Sequence, residues 1–98
     1  MGQYVKYLVC YDVEDNKLRK KLADRLLDLG LVRLQKSVFY GDLKAPEVGA
    51  MKRAVRELLK EENDRCFWLP CRIDLDYLRK CVGYKDFVYD EPDDDRAI

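Results

Sequence analysis

The chain has 98 residues, of which 48% are hydrophobic and 39% are charged, and this length allows one small soluble domain. No apolar run approaches the roughly 20 residues needed to cross a bilayer. The first residues, Met1-Gly2-Gln3-Tyr4, carry none of the features of a signal peptide. We therefore expect a cytoplasmic protein that makes no contact with a membrane.

The formal net charge of zero conceals an uneven distribution along the chain. Residues 90–98 contain five acids and one base, whereas residues 1–89 contain 18 bases and 14 acids. We expect residues 1–89 to form a single domain and residues 90–98 to be an acidic, disordered tail. The mildly basic domain is compatible with binding phosphate backbones, although its charge is weaker than that of a dedicated nucleic-acid-binding protein.

The cysteines give no sign of a metal site. Their spacing contains no Cys-x-x-Cys, and the chain has no histidine, so a zinc site would need all four sulfurs. Free thiols are therefore favoured. The absence of histidine also excludes hydrolysis by a pair of imidazoles.

The first predicted elements are a strand and an amphipathic helix. Residues 3–12 are rich in aromatic and β-branched side chains and end at Asp12. Asp15 or Asn16 can cap the helix that follows, and Gly30 can end it in a left-handed conformation. The apolar stripe of this helix is formed by Leu18, Leu22, Leu26 and Leu29.

The rest of the chain alternates between strands and helices. Residues 31–43 are β-like and form either one long strand or two short strands joined near Gln35–Ser37; the pattern leaves both open. A second helix begins at Ala45-Pro46-Glu47. The remaining predictions are a strand at 65–71, a short helix at 74–81 and a final strand at 84–89.

This order of elements predicts an α+β protein with the ferredoxin-like (split βαβ) fold. Such a fold has an antiparallel sheet with two helices on one face, here with an extra C-terminal strand. The fold hosts many unrelated functions, so function must be argued from particular residues.

Asp12 is the first candidate functional residue, because a carboxylate at the end of a strand lies at the rim of a sheet, within reach of a metal or a phosphate. The alternative is that Asp12 only ends the strand and accepts hydrogen bonds from nearby backbone N–H groups. A single carboxylate is a poor Mg²⁺ site, because this ion prefers six oxygen ligands. Two Asp12 side chains meeting across a dimer axis, with waters and a phosphate oxygen, would be adequate.

Three segments of the chain resemble the Cas2 (Cas-two) family of CRISPR-associated proteins. They are Tyr11-Asp12-Val13 after an apolar strand, Leu18-Arg19-Lys20-Lys21, and residues 30–43, which contain Arg33-Leu34-Gln35-Lys36-Ser37-Val38-Phe39-Tyr40-Gly41. Residues 3–43 match closely, and the order of elements fits to about residue 89.

The resemblance implies a homodimer that acts in CRISPR spacer acquisition together with the CRISPR-associated integrase. It also implies a metal-dependent endonuclease or endoribonuclease acting on RNA or duplex DNA, with Mg²⁺ or Mn²⁺ as cofactor. Asp12 would then be the catalytic and metal-binding residue. Phosphate contacts would come from Arg19, Lys21, Arg33 and Ser37, and Tyr11 and Phe39 would support the site.

Two other functions fit the same residues. The protein could be a non-catalytic scaffold that bridges the integrase and binds protospacer duplex DNA, or a toxin ribonuclease of the virulence-associated D type. The residues also have structural interpretations: Arg33 can pair with a neighbouring acid, and Phe39 can pack in the core or in a dimer interface. The tail residues Asp93-Asp94-Asp95 either keep the protein soluble or contact the integrase.

Overall fold

The computed structural model of the chain describes residues 3–60 and 62–92. Within them, the elements in chain order are β1 (Val5–Asp12), α1 (Asn16–Asp28), β2 (Val32–Gln35), β3 (Val38–Leu43), α2 (Ala45–Leu58), β4 (Arg65–Pro70) and α3 (Leu75–Arg79).

The four strands form one antiparallel sheet in the order β2-β3-β1-β4. β1 is a central strand, because it pairs with β3 on one side and with β4 on the other. The sequence of elements and this strand order are those of the split βαβ pattern, as predicted. One small α+β domain therefore accounts for the described residues.

Residues 31–43 form two strands, which decides between the two predicted possibilities. β2 and β3 pair as a hairpin through a turn at Lys36 and Ser37, and the register shifts between Arg33 and Gln35. The carbonyl oxygen of Ser37 accepts a hydrogen bond from the Tyr11 amide at 3.0 Å. This bond ties the hairpin turn to the end of β1.

Local side-chain chemistry defines the starts of the helices. The Asp15 carboxylate accepts from the backbone N–H of Lys17 at 2.8 Å and of Leu18 at 3.0 Å, so Asp15 is the cap of α1. Gly30 follows α1 with a φ of 95°, the left-handed conformation that favours glycine. At the start of α2, Glu47 accepts from the Lys44 amide at 2.8 Å.

The two faces of the sheet are covered differently. We call the face beneath α1 and α2 the helix face; its core contains Val9, Tyr11, Val13, Leu22, Leu26, Phe39, Leu43 and Met51. The opposite face, here the open face, is covered in part by residues 71–89, where Leu78 and Tyr89 pack with Tyr40 and the half-buried Leu8, Val32 and Leu34.

The prediction of a final strand at 84–89 is wrong, because these residues form no strand in the structure. Its backbone forms turns instead, with the Phe87 amide donating to the Tyr84 carbonyl at 3.0 Å and the Phe87 carbonyl accepting from the Arg79 side chain at 3.0 Å. These bonds use backbone groups that a strand would offer to a neighbour. The hydrophobic side chains that suggested a strand pack instead across the open face.

Polar contacts hold this C-terminal segment to the sheet. The Tyr89 hydroxyl donates to the Asp42 carboxylate at 2.7 Å and accepts from the Asp42 amide at 2.9 Å. Lys6 pairs with Asp42 and with Glu91, both at 3.3 Å.

The structure describes the predicted tail at 90–98 only to residue 92. Residues 93–98, which include Asp93, Asp94 and Asp95, lie outside the described residues.

No helix in the described part of the chain is both long and apolar enough to span a membrane.

We predict that Tyr89→Phe lowers the free energy of unfolding by about 1–3 kcal/mol, because it leaves polar groups of the half-buried Asp42 without their partner. Urea denaturation measures this change. The matched control is Tyr77→Phe, since Tyr77 is 59% exposed; equal midpoints for the two variants would contradict the anchoring role of Tyr89.

Candidate nucleic-acid interface

Alternation along β1 sends Tyr11 and Asp12 to opposite faces of the sheet. Successive side chains of a strand point to opposite sides. Tyr11 is only 6% exposed and belongs to the core of the helix face, whereas Asp12 is exposed. The candidate functional residues therefore form two groups at one end of the sheet, one on each face.

On the open face, Asp12 is paired in register with Arg65 of β4. Together with Cys10, Tyr11 and Phe67, these residues line a shallow cleft of about 320 Å³. Within the described residues, the Asp12 carboxylate takes part in no hydrogen bond or ion pair, so its oxygens can accept a ligand.

The described residues of one chain offer few candidate metal ligands on this face. In the part of the chain that the structure describes, no three His, Cys, Asp or Glu side chains come together as a ligand set. Burial raises the pKa of the neighbouring Cys10 thiol, which favours the protonated form that binds metal poorly. Asp12 supplies one carboxylate, and a second carboxylate from another chain would make a better Mg²⁺ site, because this ion prefers six oxygen ligands.

On the helix face, a second cleft of about 190 Å³ lies beside Tyr11. We call it the cationic cleft; its lining is Tyr11, Asn16, Arg19, Lys20, Ala23, Arg33 and Lys36. The lining contains four bases and no acid. Lys20 pairs with Asp24 at 3.0 Å, while Arg19, Arg33 and Lys36 have no ion pair with any described residue. The cleft is therefore electropositive.

The two guanidinium groups of the cationic cleft are held in place by neutral partners. Arg19 donates to the Val13 carbonyl at 2.9 Å and to the Asn16 side-chain oxygen. Arg33 donates to the Lys36 carbonyl at 2.8 Å and lies 4.9 Å from the centroid of the Phe39 ring. Because a guanidinium has five N–H donors, both arginines keep donors for a ligand.

Tyr11 and Phe39 form the floor beneath these cations. Their rings are stacked with centroids 6.0 Å apart, and Phe39 is fully buried. The Tyr11 hydroxyl is buried and has no hydrogen-bond partner among the described residues. Burial raises the pKa of Tyr11, an effect that the charges of Arg33 and Arg19 partly offset. The hydroxyl therefore stays protonated and able to donate at neutral pH.

A buried carboxylate fixes the loop that leads out of β1. Asp64 accepts from the Lys60 amide at 2.9 Å and from the Glu14 amide at 3.3 Å. These bonds connect the end of α2 with the loop between Asp12 and α1. Asp64 therefore has a positioning role.

The structure unites some of the predicted site residues and separates others. Tyr11, Arg19, Arg33 and Phe39 come together on the helix face, and Asp12 lies on the other face. Lys21 is exposed on α1, and Ser37 is half-buried in the hairpin turn; neither lines the cationic cleft.

Sequence reasoning missed Arg65 and Lys36. Arg65 begins β4, so its place beside Asp12 follows only once β1 and β4 are known to pair. Lys36 lies in the turn between β2 and β3, which was one of the two possibilities left open for residues 31–43, so its place beside Arg33 in the cationic cleft could not be predicted.

The structure is therefore a small antiparallel α+β protein with a cation-rich cleft on one face of its sheet and an exposed strand-end carboxylate on the other. The model of the family described as CRISPR associated protein Cas2 matches residues 5–74. The chain belongs to the Cas2 family.

Curated relatives agree with this assignment. A protein named CRISPR-associated endoribonuclease Cas2 from Korarchaeum cryptofilum is 42% identical over 63% of this chain and 62% of its own length. CRISPR-associated endoribonuclease Cas2 1 from Francisella tularensis subsp. novicida is 35% identical over 91% of both chains.

Solved structures show the same fold. The hypothetical protein TT1823 from Thermus thermophilus has a TM-score of 0.67 and 33% identity, over 71% of this chain and 84% of its own. Streptococcus pyogenes Cas2 has a TM-score of 0.63 at 23% identity, over 78% of this chain and 94% of its own.

We predict that Asp12→Ala changes the free energy of unfolding by less than about 0.5 kcal/mol, because this exposed side chain has no partner within the described chain. Asp64→Ala should cost about 1–3 kcal/mol, since two backbone N–H groups lose their acceptor. Urea denaturation of both variants checks this contrast. A marked loss of stability in Asp12→Ala would show that Asp12 supports the fold.

Proposed function

We propose that this protein acts in CRISPR spacer acquisition as a homodimeric, metal-dependent endonuclease or endoribonuclease. The single observation that carries the catalytic proposal is the exposed Asp12 carboxylate, which lies beside Arg65 and has no bonding partner among the described residues. Membership of the Cas2 family and the endoribonuclease names of the relatives support the choice of phosphodiester hydrolysis. The family match favours CRISPR adaptation over the toxin alternative.

Homodimerisation is supported by the apolar part of the open face. Phe67 is 57% and Leu69 is 39% exposed. Both lie on the same face as Asp12, because they follow its partner Arg65 by two and four residues along β4. Exposed apolar surface of this kind stabilises a protein when a partner covers it. A symmetric contact through this face would bring two copies of Asp12 towards each other.

The residues would divide the chemistry as follows. The two Asp12 carboxylates would hold Mg²⁺ or Mn²⁺, which supplies activation of a water and neutralisation of charge on the phosphate. Arg65, next to Asp12, would stabilise negative charge that develops on the phosphate oxygens. Arg19, Lys21, Arg33 and Ser37 would contact phosphates further along the nucleic acid and so fix its path.

A second function, a non-catalytic scaffold, is favoured by the lone position of Asp12. No complete ligand set exists within the described residues, and the cationic cleft does not include Asp12. In this function the protein would bind protospacer duplex DNA through its cations and bridge the CRISPR-associated integrase. Binding would then fall steeply with salt and would not depend on Asp12.

To test the catalytic proposal, labelled single-stranded RNA and duplex DNA are incubated with purified protein in Mg²⁺, Mn²⁺ or EDTA. We expect cleavage with either metal, none in EDTA, and a loss of at least about 100-fold in Asp12→Ala, because one substitution removes both carboxylates of the dimer. The matched control is Asp28→Ala, which changes an exposed aspartate at the end of α1 that has no partner among the described residues.

Equal cleavage by native protein and Asp12→Ala, or no cleavage by either, would contradict the nuclease proposal. Spacer acquisition in cells then tests the scaffold directly. Acquisition that persists in Asp12→Ala supports the scaffold, whereas acquisition that is lost in Asp12→Ala but kept in Asp28→Ala contradicts it.

For the dimer, we predict that Phe67→Glu shifts the sedimentation of the protein from dimer to monomer, because it places a charge in the apolar contact. Leu27→Glu, on the exposed surface of α1, is the matched control and should leave the dimer intact. A native protein that sediments as a monomer, or a Phe67→Glu variant that stays dimeric, would contradict the proposed contact.

A further inference from the structure

Residues 84–91, which we call the strap, cross the open face of the sheet. At its start, the Tyr84 hydroxyl donates to the Leu34 carbonyl of β2 at 3.0 Å. Five residues later, the Tyr89 hydroxyl donates to the Asp42 carboxylate of β3 at 2.7 Å. The strap is therefore bonded first to β2 and then to β3, which are neighbours in the sheet.

The strap ends on β1 and follows a diagonal path. Glu91 pairs with Lys6 of β1 at 3.3 Å, so the three contacts follow the strand order β2-β3-β1. Leu34 lies next to the hairpin turn, at the same end of the sheet as Asp12. Lys6 pairs in register with Asp42 near the opposite end. The strap thus runs from the Asp12 end of an outer strand to the far end of a central strand.

This diagonal path divides the open face into two parts. In the first, here the covered part, the strap and the residues before it pack around Leu8 and the fully buried Tyr40. In the second, here the Asp12 part, Phe67 is 57% and Leu69 is 39% exposed on the same face as Asp12. Both parts carry apolar side chains, so each is a surface that another chain would bury favourably if it were accessible.

The strap is joined to α3 by residues that hold it loosely. Val82 is 99% exposed, and Gly83 has a φ of 92° with open space where a side chain would begin. The contacts that fasten the strap are the polar bonds described above and the packing around Tyr40. A segment fastened in this way can detach as a unit while the sheet remains folded.

We infer that the strap blocks the covered part of the open face against a second copy of this chain and leaves the Asp12 part as the surface for docking. This inference rests on the proposed function in taking a second copy as the partner. A released strap would uncover Tyr40 and Leu8, and these would offer a competing apolar contact in which the two Asp12 carboxylates need not approach each other. The strap therefore provides specificity by excluding the wrong contact.

The test first releases the strap with Tyr84→Phe and Tyr89→Phe together, which remove two hydroxyl bonds and keep both rings. Amide hydrogen exchange measures the release. We expect exchange in residues 84–91 to become at least about tenfold faster, because a lost hydrogen bond weakens the closed state, while amides at the centre of β1 remain protected.

Glu91→Lys is a second, independent way to release the strap. Glu91 is exposed, so the substitution does not disturb the core, and it replaces the ion pair with Lys6 by a repulsion between two cations. Exchange in the strap should again become faster. Unchanged exchange in both variants would overturn the inference that these polar bonds hold the strap closed.

Sedimentation then tests whether the strap blocks association. Phe67→Glu alone is expected to be monomeric, as argued above. In the strap-released background, Phe67→Glu should self-associate at least about tenfold more strongly, because the uncovered apolar part offers a new contact. The matched control combines Phe67→Glu with Tyr77→Phe, which changes a tyrosine that is 59% exposed, and it should stay monomeric.

The outcomes separate this inference from the proposed dimer. Rapid exchange in the strap without any gain in self-association would overturn the inference. A native protein that sediments as a monomer would contradict the proposed dimer alone. In that case the strap-released protein with Phe67 intact decides: self-association that exceeds the native level supports blocking by the strap, and an unchanged monomer refutes it.

Discussion

The alternation of side chains along β1 is the constraint on which the rest of the structure depends. β1 pairs with β3 and β4 on its two sides, so its backbone cannot rotate, and each side chain is committed to one face. Tyr11 must enter the core beneath α1, and Asp12 must face the other way. The side chains of Tyr11 and Asp12, although adjacent in sequence, therefore point to opposite faces of the sheet.

Within residues 3–60 and 62–92, the helix face is covered completely and the open face only in part. On the helix face, α1 and α2 enclose a continuous apolar core, and polar bonds from Asp15 and Asp64 fix the loops around it. On the open face, the described part of the C-terminal segment packs on β2, β3 and part of β1, where Tyr89 and Asp42 anchor it. Phe67 and Leu69 remain exposed beside Asp12. Any function that needs a second copy is therefore expected at the open face.

Sequence patterns predicted the parts of the fold that local chemistry decides. The caps at Asp15 and Gly30 and the start of α2 depend on a few neighbouring residues, and these predictions are confirmed. The final strand could not be predicted correctly, because residues 84–89 have strand-like composition and their conformation depends on distant partners such as Leu34 and Asp42. Arg65 was missed for a similar reason: its neighbour Asp12 is distant in sequence and close only through the order of the strands.

Because the two groups of candidate residues lie on opposite faces, the structure of a single chain fits both a nuclease and a scaffold. Asp12 is exposed and bonds to no described residue, so the fold and the cationic cleft do not depend on its carboxylate. Loss of hydrolysis would then leave a stable protein with the same affinity for phosphates. Conversely, a change in the cationic cleft would alter where a strand lies without removing the carboxylate. The proposed hydrolysis and the proposed phosphate binding would each depend on a different side of β1, so one fold is consistent with the loss of either without the other.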